Sequence, residues 1–257
     1  SQDTNNVTIA DSLARIGYDG DSPCGGRFIR AYFEPHIEQG PVLETAGKTI
    51  GVVEGIQGIR WFNCTIIGKE AHADSTPMSA RHDALLGAAR LIGHINDKRP
   101  IANAPDGRTT VGQLQLCPNS RNVIPGQVRF TVDMRHPVAS TLLAMAQSLR
   151  LAFDAVREDN ALKGNLEQIW YSPPTAFDPA CVNMVEQVAH SRGHSYLRSS
   201  SGAGNDAKYM ADICPTAMVF IPCKDGLSHN ELEDAAEKRL ISGSQELLNS
   251  AFEKAME

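Results

Sequence analysis

Four short polar clusters in this chain gather residue types that can carry protons, bind metals or contact a polar substrate. They are His36-Ile37-Glu38-Gln39-Gly40-Pro41, AHADSTPM from Ala71 to Met78, Ser201-Gly202-Ala203-Gly204-Asn205-Asp206, and GLSHNE from Gly226 to Glu231. A looser pair, Asn122 and Arg135, stands at the two ends of a run interrupted by Pro125-Gly126. Imidazole is the side chain that changes charge near neutral pH and also ligates metals. Each cluster falls where a strand is expected to end or a loop to begin, the usual place for catalytic groups in layered α/β folds. Singly the signals are weak, because a histidine in a polar loop is more often a hydrogen-bonded structural residue. The glycines of SGAGND serve a tight turn equally well and match neither phosphate-binding glycine fingerprint. His82, His94, His136, His190 and His194 lie on expected helices or element edges without polar company and read as structural.

The elements that must position these clusters follow from hydrophobic period. Thr8 or Asp11 can cap a helix that ends on Gly17 and Gly20, and a β-like run from Phe28 to Phe33 feeds the first cluster. From Gly55 the pattern changes. Residues 59–68 are β-branched and aromatic, 79–97 have helical spacing, 109–116 alternate, and 122–135 form a strand broken at Pro-Gly. A long amphipathic helix over 138–159 and a strand over 165–172 complete the order β-α-β-β-α-β, the split βαβ arrangement of ferredoxin-like domains. Residues 55–171 therefore read as an inserted module. After it, helices at 181–192, 207–213 and 237–256 and a buried strand at 216–222 belong to an α/β layered domain made of 1–54 and 172–257. Its strands are too few for a complete sheet.

Composition bounds the function. The chain has 257 residues, 42% hydrophobic and 21% charged, and a formal net charge of -6. That balance argues against nucleic-acid and anionic-membrane partners, which call for a basic field. No apolar run approaches the roughly 18 residues of a membrane span, and the first 20 residues lack a charged-then-apolar leader pattern. The six cysteines show no C-x-x-C pairing and read as reduced thiols in a cytoplasmic protein.

Taken together, HIEQGPVLE, GKEAHADSTPMSARHDA, SRNVIPGQVRFTVDMR, SGAGNDA and GLSHNELE are more specific than any one of them. Their order and spacing resemble the carbamoylase and ureidopropionase branch of the dinuclear-zinc aminoacylase–carboxypeptidase superfamily, across nearly the whole chain. The branch includes N-carbamoyl-L-amino acid hydrolase of hydantoin utilisation, β-ureidopropionase and allantoate amidohydrolase. The resemblance implies an α/β zinc-hydrolase core with the inserted module as lid and homodimerisation domain. It implies hydrolysis of a carbamoyl or ureido C–N bond on a small amino-acid-like carboxylate. His36 and His229 then correspond to zinc ligands, one for each of two ions (manganese being the other candidate), with imidazole aimed by firm loop geometry. Gln39 corresponds to a substrate contact and His72 to the group that polarises the scissile carbonyl. Asn122 and Arg135 correspond to the holders of the substrate carboxylate, which a guanidinium grips bidentately. Backbone N–H groups near Gly202 and Gly204 would add donors. In such chemistry zinc acidifies a bound water and a carboxylate base takes its proton.

The chain departs from this pattern in places. The resemblance also implies a first His, a metal-bridging Asp and an adjacent Glu pair ahead of His36, yet residues 1–35 contain no His. Asp3, Asp11, Asp19, Asp21 and Glu34 stand in a different context. The expectation is therefore an N-terminally truncated chain with an incomplete core, zinc absent or partial, and no turnover on its own. Asp74 stands where many relatives have Gly, and Asn205 where they usually have His, so Asn205 inherits no role. Two rival readings are an aminoacylase or dipeptidase, which HIEQGP disfavours, and a non-catalytic dimerisation or carboxylate-binding protein.

Overall fold

The computed structural model describes residues 5–23, 25–96 and 106–257. Residues 1–30 form one compact unit and 31–257 another. In the first, α1 (Ile9–Ile16) starts on a capping box: Thr8 Oγ1 accepts from the Asp11 N–H at 3.1 Å, and Asp11 Oδ2 accepts from the Thr8 N–H at 2.9 Å. Of the two candidate caps it is therefore Thr8, and Gly17 closes the helix in the left-handed conformation, φ 71°.

The second unit contains two main sheets. The mixed sheet runs β1 (Tyr32–Ile37), β12 (Thr216–Ile221), β2 (Ile50–Ile56) and β10 (Thr175–Ala176), with β11 (Tyr196–Ser201) also paired to β2. β1 is parallel to β12 and β11 is parallel to β2, whereas β12 and β10 are antiparallel to β2. All six residues of β12 are buried, the mark of a strand covered on both faces. One cover is built from helices α5 (Pro179–Ser191) and α7 (Glu237–Met256); on α7, Gly243 lets the helix approach Ile221, where a Cβ would meet Ile221 Cγ2 at 2.6 Å. The core includes Ile50, Val53, Val185, Met218 and Phe220. Helix α7 also carries a fully buried Glu246, whose Oε2 lies 3.3 Å from Nδ1 of His194. Burial pushes the Glu246 carboxyl up to about 7 and pushes the His194 imidazole down, each towards its uncharged form.

The second sheet is antiparallel throughout, in the order β5 (Arg108–Thr110), β8 (Gln127–His136), β3 (Gly58–Ile67), β9 (Lys163–Ser172), with β6 (Leu114–Cys117) also on β8. Helices α3 (Ala84–Asn96) and α4 (Ala139–Asp159) cover one face over a core of Phe62, Ile66, Leu91, Phe130, Leu142 and Leu149. This is the ferredoxin-like order expected from the sequence, and the strands foreseen at 59–68 and 165–172 are β3 and β9. Alternation along β3 and β8 leaves Asn63, Arg129 and their neighbours on an open face.

Five elements differ from the sequence reading, the first being the run foreseen from Phe28 to Phe33, which is β1 over Tyr32–Ile37. The strand foreseen at 109–116 is two short strands, β5 and β6, separated around Gly112. The strand foreseen at 122–135 splits at Pro125-Gly126 into β7 (Val123–Ile124) and β8, and β7 pairs instead with β4 (Ala71–His72). The helix foreseen from 79 begins at Ala84, because Asp83 Oδ1 takes the N–H groups of Leu85 at 2.9 Å and Leu86 at 3.1 Å and caps it there. Its expected last residue, 97, lies outside the described residues. The helix foreseen over 207–213 is shorter, α6 (Ala207–Met210). Five described cysteines are unpaired, and Cys24 lies outside the described residues. No described helix is long and apolar enough to cross a membrane.

Candidate functional site

His36 stands near the end of β1 opposite Phe220 of β12, its ring edge-on to that phenyl with centroids 6.4 Å apart. Its Nδ1 lies 2.8 Å from the Ile37 carbonyl, so in the neutral ring Nδ1 carries the proton and Nε2 is left bare. That is the arrangement by which a protein orients a metal-ligating histidine. The chain then turns through Gln39, whose φ of 57° is unusual for a residue with a side chain. Gln39 Nε2 donates to Ser228 Oγ at 2.8 Å and so ties the first cluster to the fourth across 189 residues. Glu38 takes the N–H groups of Val42 at 3.1 Å and Leu43 at 2.8 Å, at the start of α2 (Val42–Thr45). Burial pushes its carboxyl up, opposed by those two amides and by Arg108.

His229 is exposed, also has a left-handed backbone at φ 55°, and donates its N–H to Glu233 Oε2 at 3.1 Å. The Glu233 carboxyl is held below the usual range, first by the Ser228 hydroxyl, then by the His229 N–H, with smaller help from the imidazoles of His229 and His36. One carboxylate is thus the common neighbour of both candidate ligands. The sequence reading did not single out Glu233; its signal was an acid four residues after His229. Among the described residues no group of three or more His, Cys, Asp or Glu is placed to hold a metal ion. The described residues therefore do not complete a tetrahedral metal site.

His72 and Asn122 are brought together by the small β4–β7 ladder, where His72 faces Val123 and the Ala73 N–H donates to the Asn122 carbonyl at 2.9 Å. His72 Nδ1 accepts the Asp74 N–H at 3.2 Å, so the neutral ring carries its proton on Nε2 and presents a donor. Asp74 thus acts on His72 through its backbone. Arg81, which the sequence reading passed over, donates to the carbonyls of Ala73 and Thr76 and holds the loop after His72.

Arg135 on β8 engages three of its five N–H donors within the protein. Nε lies 3.0 and 3.2 Å from the two oxygens of Asp133, Nη2 donates to Asp133 Oδ2 at 2.7 Å, and Nη1 donates to the Gly202 carbonyl at 2.7 Å. The last bond joins the antiparallel sheet to the glycine turn that follows β11. Gly202 and Gly204 have open space where a Cβ would stand, so neither is glycine for steric reasons within the turn. Ser201 and Asn205 brace that turn from inside, with Ser201 Oγ 2.7 Å from Asn205 Oδ1. Glu34 docks it onto β1, accepting the Ala207 N–H at 2.7 Å and the Tyr32 hydroxyl at 3.2 Å. Gln39 and Gly202 line one cleft of about 500 Å³, together with Gln57, Arg108 and Phe220. His36, His72, Asn122, Arg135, Gly204 and His229 do not line that cleft.

Residues 12–252 match the model of peptidase family M20/M25/M40. The N-carbamoyl-L-amino-acid amidohydrolase of Rhizobium meliloti is 40% identical over 254 residues, covering 99% of this chain and 61% of the relative. The allantoate amidohydrolase of Escherichia coli is 33% identical over 227 residues, covering 88% of this chain and 55% of the relative. A crystal structure of an amidase of the hydantoinase/carbamoylase family from Burkholderia multivorans superposes with a TM-score of 0.92 at 51% identity, over 99% of this chain and 62% of that one. The chain thus spans about three-fifths of the length of relatives that it matches almost from end to end. Enzymes of this kind are generally dinuclear metal hydrolases. On the match over 12–252, together with the shared fold, the chain belongs to peptidase family M20/M25/M40.

Proposed function

We propose that the site serves the hydrolysis of a carbamoyl or ureido C–N bond on a small amino-acid-like carboxylate, the class of reaction named for the relatives in Rhizobium meliloti and Escherichia coli. One observation carries this reading. Arg135 of the antiparallel sheet donates to the Gly202 carbonyl of the mixed sheet, and Gly202 lines one cleft with Gln39. Three segments assigned to substrate binding are thereby joined at one place.

In this reading Arg135 and Asn122 hold the substrate carboxylate, assisted by backbone N–H groups at Gly202 and Gly204. Gln39 contacts the substrate. His72, with its proton on Nε2, donates to the oxygen that gains charge as the carbonyl carbon becomes tetrahedral, a role in which one well-placed donor is worth about 3 kcal/mol. His36 and His229 take two ligand positions of a dinuclear site for zinc or manganese; the remaining donors are not found among the described residues. Residues 55–171 act as the lid that brings His72 and Arg135 to the substrate, and as the surface of a homodimer. The long outer edge of β9, unpaired among the described residues, supports that second role. The proposed setting is cytoplasmic hydantoin utilisation.

Calorimetric titration with N-carbamoyl-L-alanine, N-acetyl-L-alanine and a dipeptide tests the reading, because the donors among the described residues do not complete the metal site. Tighter binding of the carbamoyl compound than of the other two is expected. Tighter binding of the acetyl compound or the dipeptide contradicts it, and equal binding of all three favours the non-catalytic, carboxylate-binding alternative.

A further inference from the structure

We propose that Arg108 and Gln57 form a second recognition subsite in the cleft, one that takes an acidic side chain, so that ureido acids with two carboxylates are the preferred class of ligand. The inference rests on the reading above, in which Arg135 serves the first carboxylate.

Arg108 lies directly opposite Arg135 in the β5–β8 ladder. Side chains of directly opposed residues leave the same face of a sheet with Cβ atoms about 5 Å apart, and like charges placed so are destabilising. For Arg135 the repulsion is compensated by Asp133 and the Gly202 carbonyl. Arg108 is compensated only from a distance, by the Glu38 carboxyl, whose oxygens are turned to backbone amides. It is exposed, gives one N–H to the Asp106 carbonyl at 2.9 Å, and makes no ion pair within 4 Å among the described residues. It lines the cleft all the same.

The acids in that cleft are mostly spent. Glu38 is turned to the amides of Val42 and Leu43, and Glu54 is paired with Arg198 at 2.9 Å. Asp106 alone has an uncommitted carboxylate there, next to the carbonyl that already holds Arg108. A guanidinium left over beside a second one, in a cleft with room for a small acid, is a site for an anion.

Gln57 supplies an independent observation. It is 4% exposed, lines the same cleft, and its Oε1 has no hydrogen-bond partner. Its backbone N–H donates to the Ser201 carbonyl at 2.9 Å, which fixes it beside the glycine turn. A buried amide oxygen without a donor is rare and calls for an explanation. A ureido group carries N–H donors that would answer it once the side chain turns towards the cleft. Arg108 and Gln57 together describe a ligand with an N–H face and an anionic end beyond the carboxylate held at Arg135.

Calorimetric titration of N-carbamoyl-L-glutamate against its neutral isostere N-carbamoyl-L-glutamine tests this. Wild-type protein is expected to bind the glutamate compound at least tenfold more tightly. R108M should bring that ratio to within about twofold of one, D106N should raise it, and Q57L should weaken both ligands about tenfold. Equal affinities in the wild type, or a preference that survives R108M, overturn the subsite while leaving the first carboxylate site standing. Binding of neither ligand overturns both readings.

Discussion

The two sheets solve the same problem, that of presenting polar groups from an apolar scaffold, in opposite ways. The mixed sheet buries β12 along its whole length, and only Phe220 of that strand reaches the cleft. Its candidate site residues accordingly stand past or at strand ends: His36 and Gln39 after the body of β1, Gly202 after β11, and His229 in the loop beyond β12. The antiparallel sheet buries only one face, against α3 and α4, and can present Arg135 and Arg108 from regular strands. A doubly covered strand contributes chemistry only through its ends, whereas a half-covered one contributes through alternate residues.

The strongest way to break that comparison is by alanine substitution at adjacent positions. In the mixed sheet Phe220 and Ile221 point to opposite faces and both are buried. F220A and I221A should each cost about 2–5 kcal/mol in urea unfolding. In the antiparallel sheet, F130A should cost a similar 3–5 kcal/mol, while R129A beside it, exposed on the open face, should stay within about 0.5 kcal/mol. Equal losses for both members of the β8 pair would show that the open face is covered in solution.

Next in size is the bridge between the sheets. Arg135 keeps two N–H donors beyond those given to Asp133 and Gly202, and hydrogen bonds from a charged group to a ligand are worth about 1.5–3 kcal/mol. R135M should therefore weaken binding of N-carbamoyl-L-alanine by roughly tenfold to a hundredfold, read by calorimetry. An unchanged affinity would leave Arg135 as a strut alone.

A smaller effect is expected under the mixed sheet. Glu246 has its carboxyl raised to about 7 by burial. An acid raised on folding stabilises below its unfolded range and loses that contribution as pH climbs towards the folded value. Wild-type protein should thus lose about 1–2 kcal/mol between pH 5 and pH 8 relative to E246Q, whose amide does not titrate. Parallel stability curves for the two proteins would place the carboxylate in contact with water. The smallest shift concerns Glu233, whose lowered carboxyl depends first on Ser228. S228A should return it towards the ordinary carboxylate range in a carbon-13 NMR titration.

Much of the fold was legible because strand alternation is local. The ferredoxin-like order could be read from period alone, and errors fell where local signals compete. Gly112 and Pro125-Gly126 divided runs whose apolar pattern continues past them, and the Asp83 cap outweighed a helical pattern that starts four residues earlier. Site residues with a recognisable cluster around them, such as His36, His72, Gln39 and His229, were visible. Their supports were not. Glu34 acts on Ala207 across 173 residues, and Asp133 becomes the partner of Arg135 only because residues two apart in a strand share a face. Arg81 is one charge on a segment that read as helix, and only its bonds to the Ala73 and Thr76 carbonyls give it a purpose.

The assignment of His36 and His229 as the chain's own metal ligands is tested most directly by elemental analysis of the purified protein after dialysis against a weak chelator. Two imidazoles without a further group of ligands among the described residues leave each ion short of the four donors that a tight zinc site takes. Well under one zinc ion per chain is predicted, falling further in H36A and H229A. Two tightly held ions per chain, or zinc content indifferent to both substitutions, would contradict the ligand assignment.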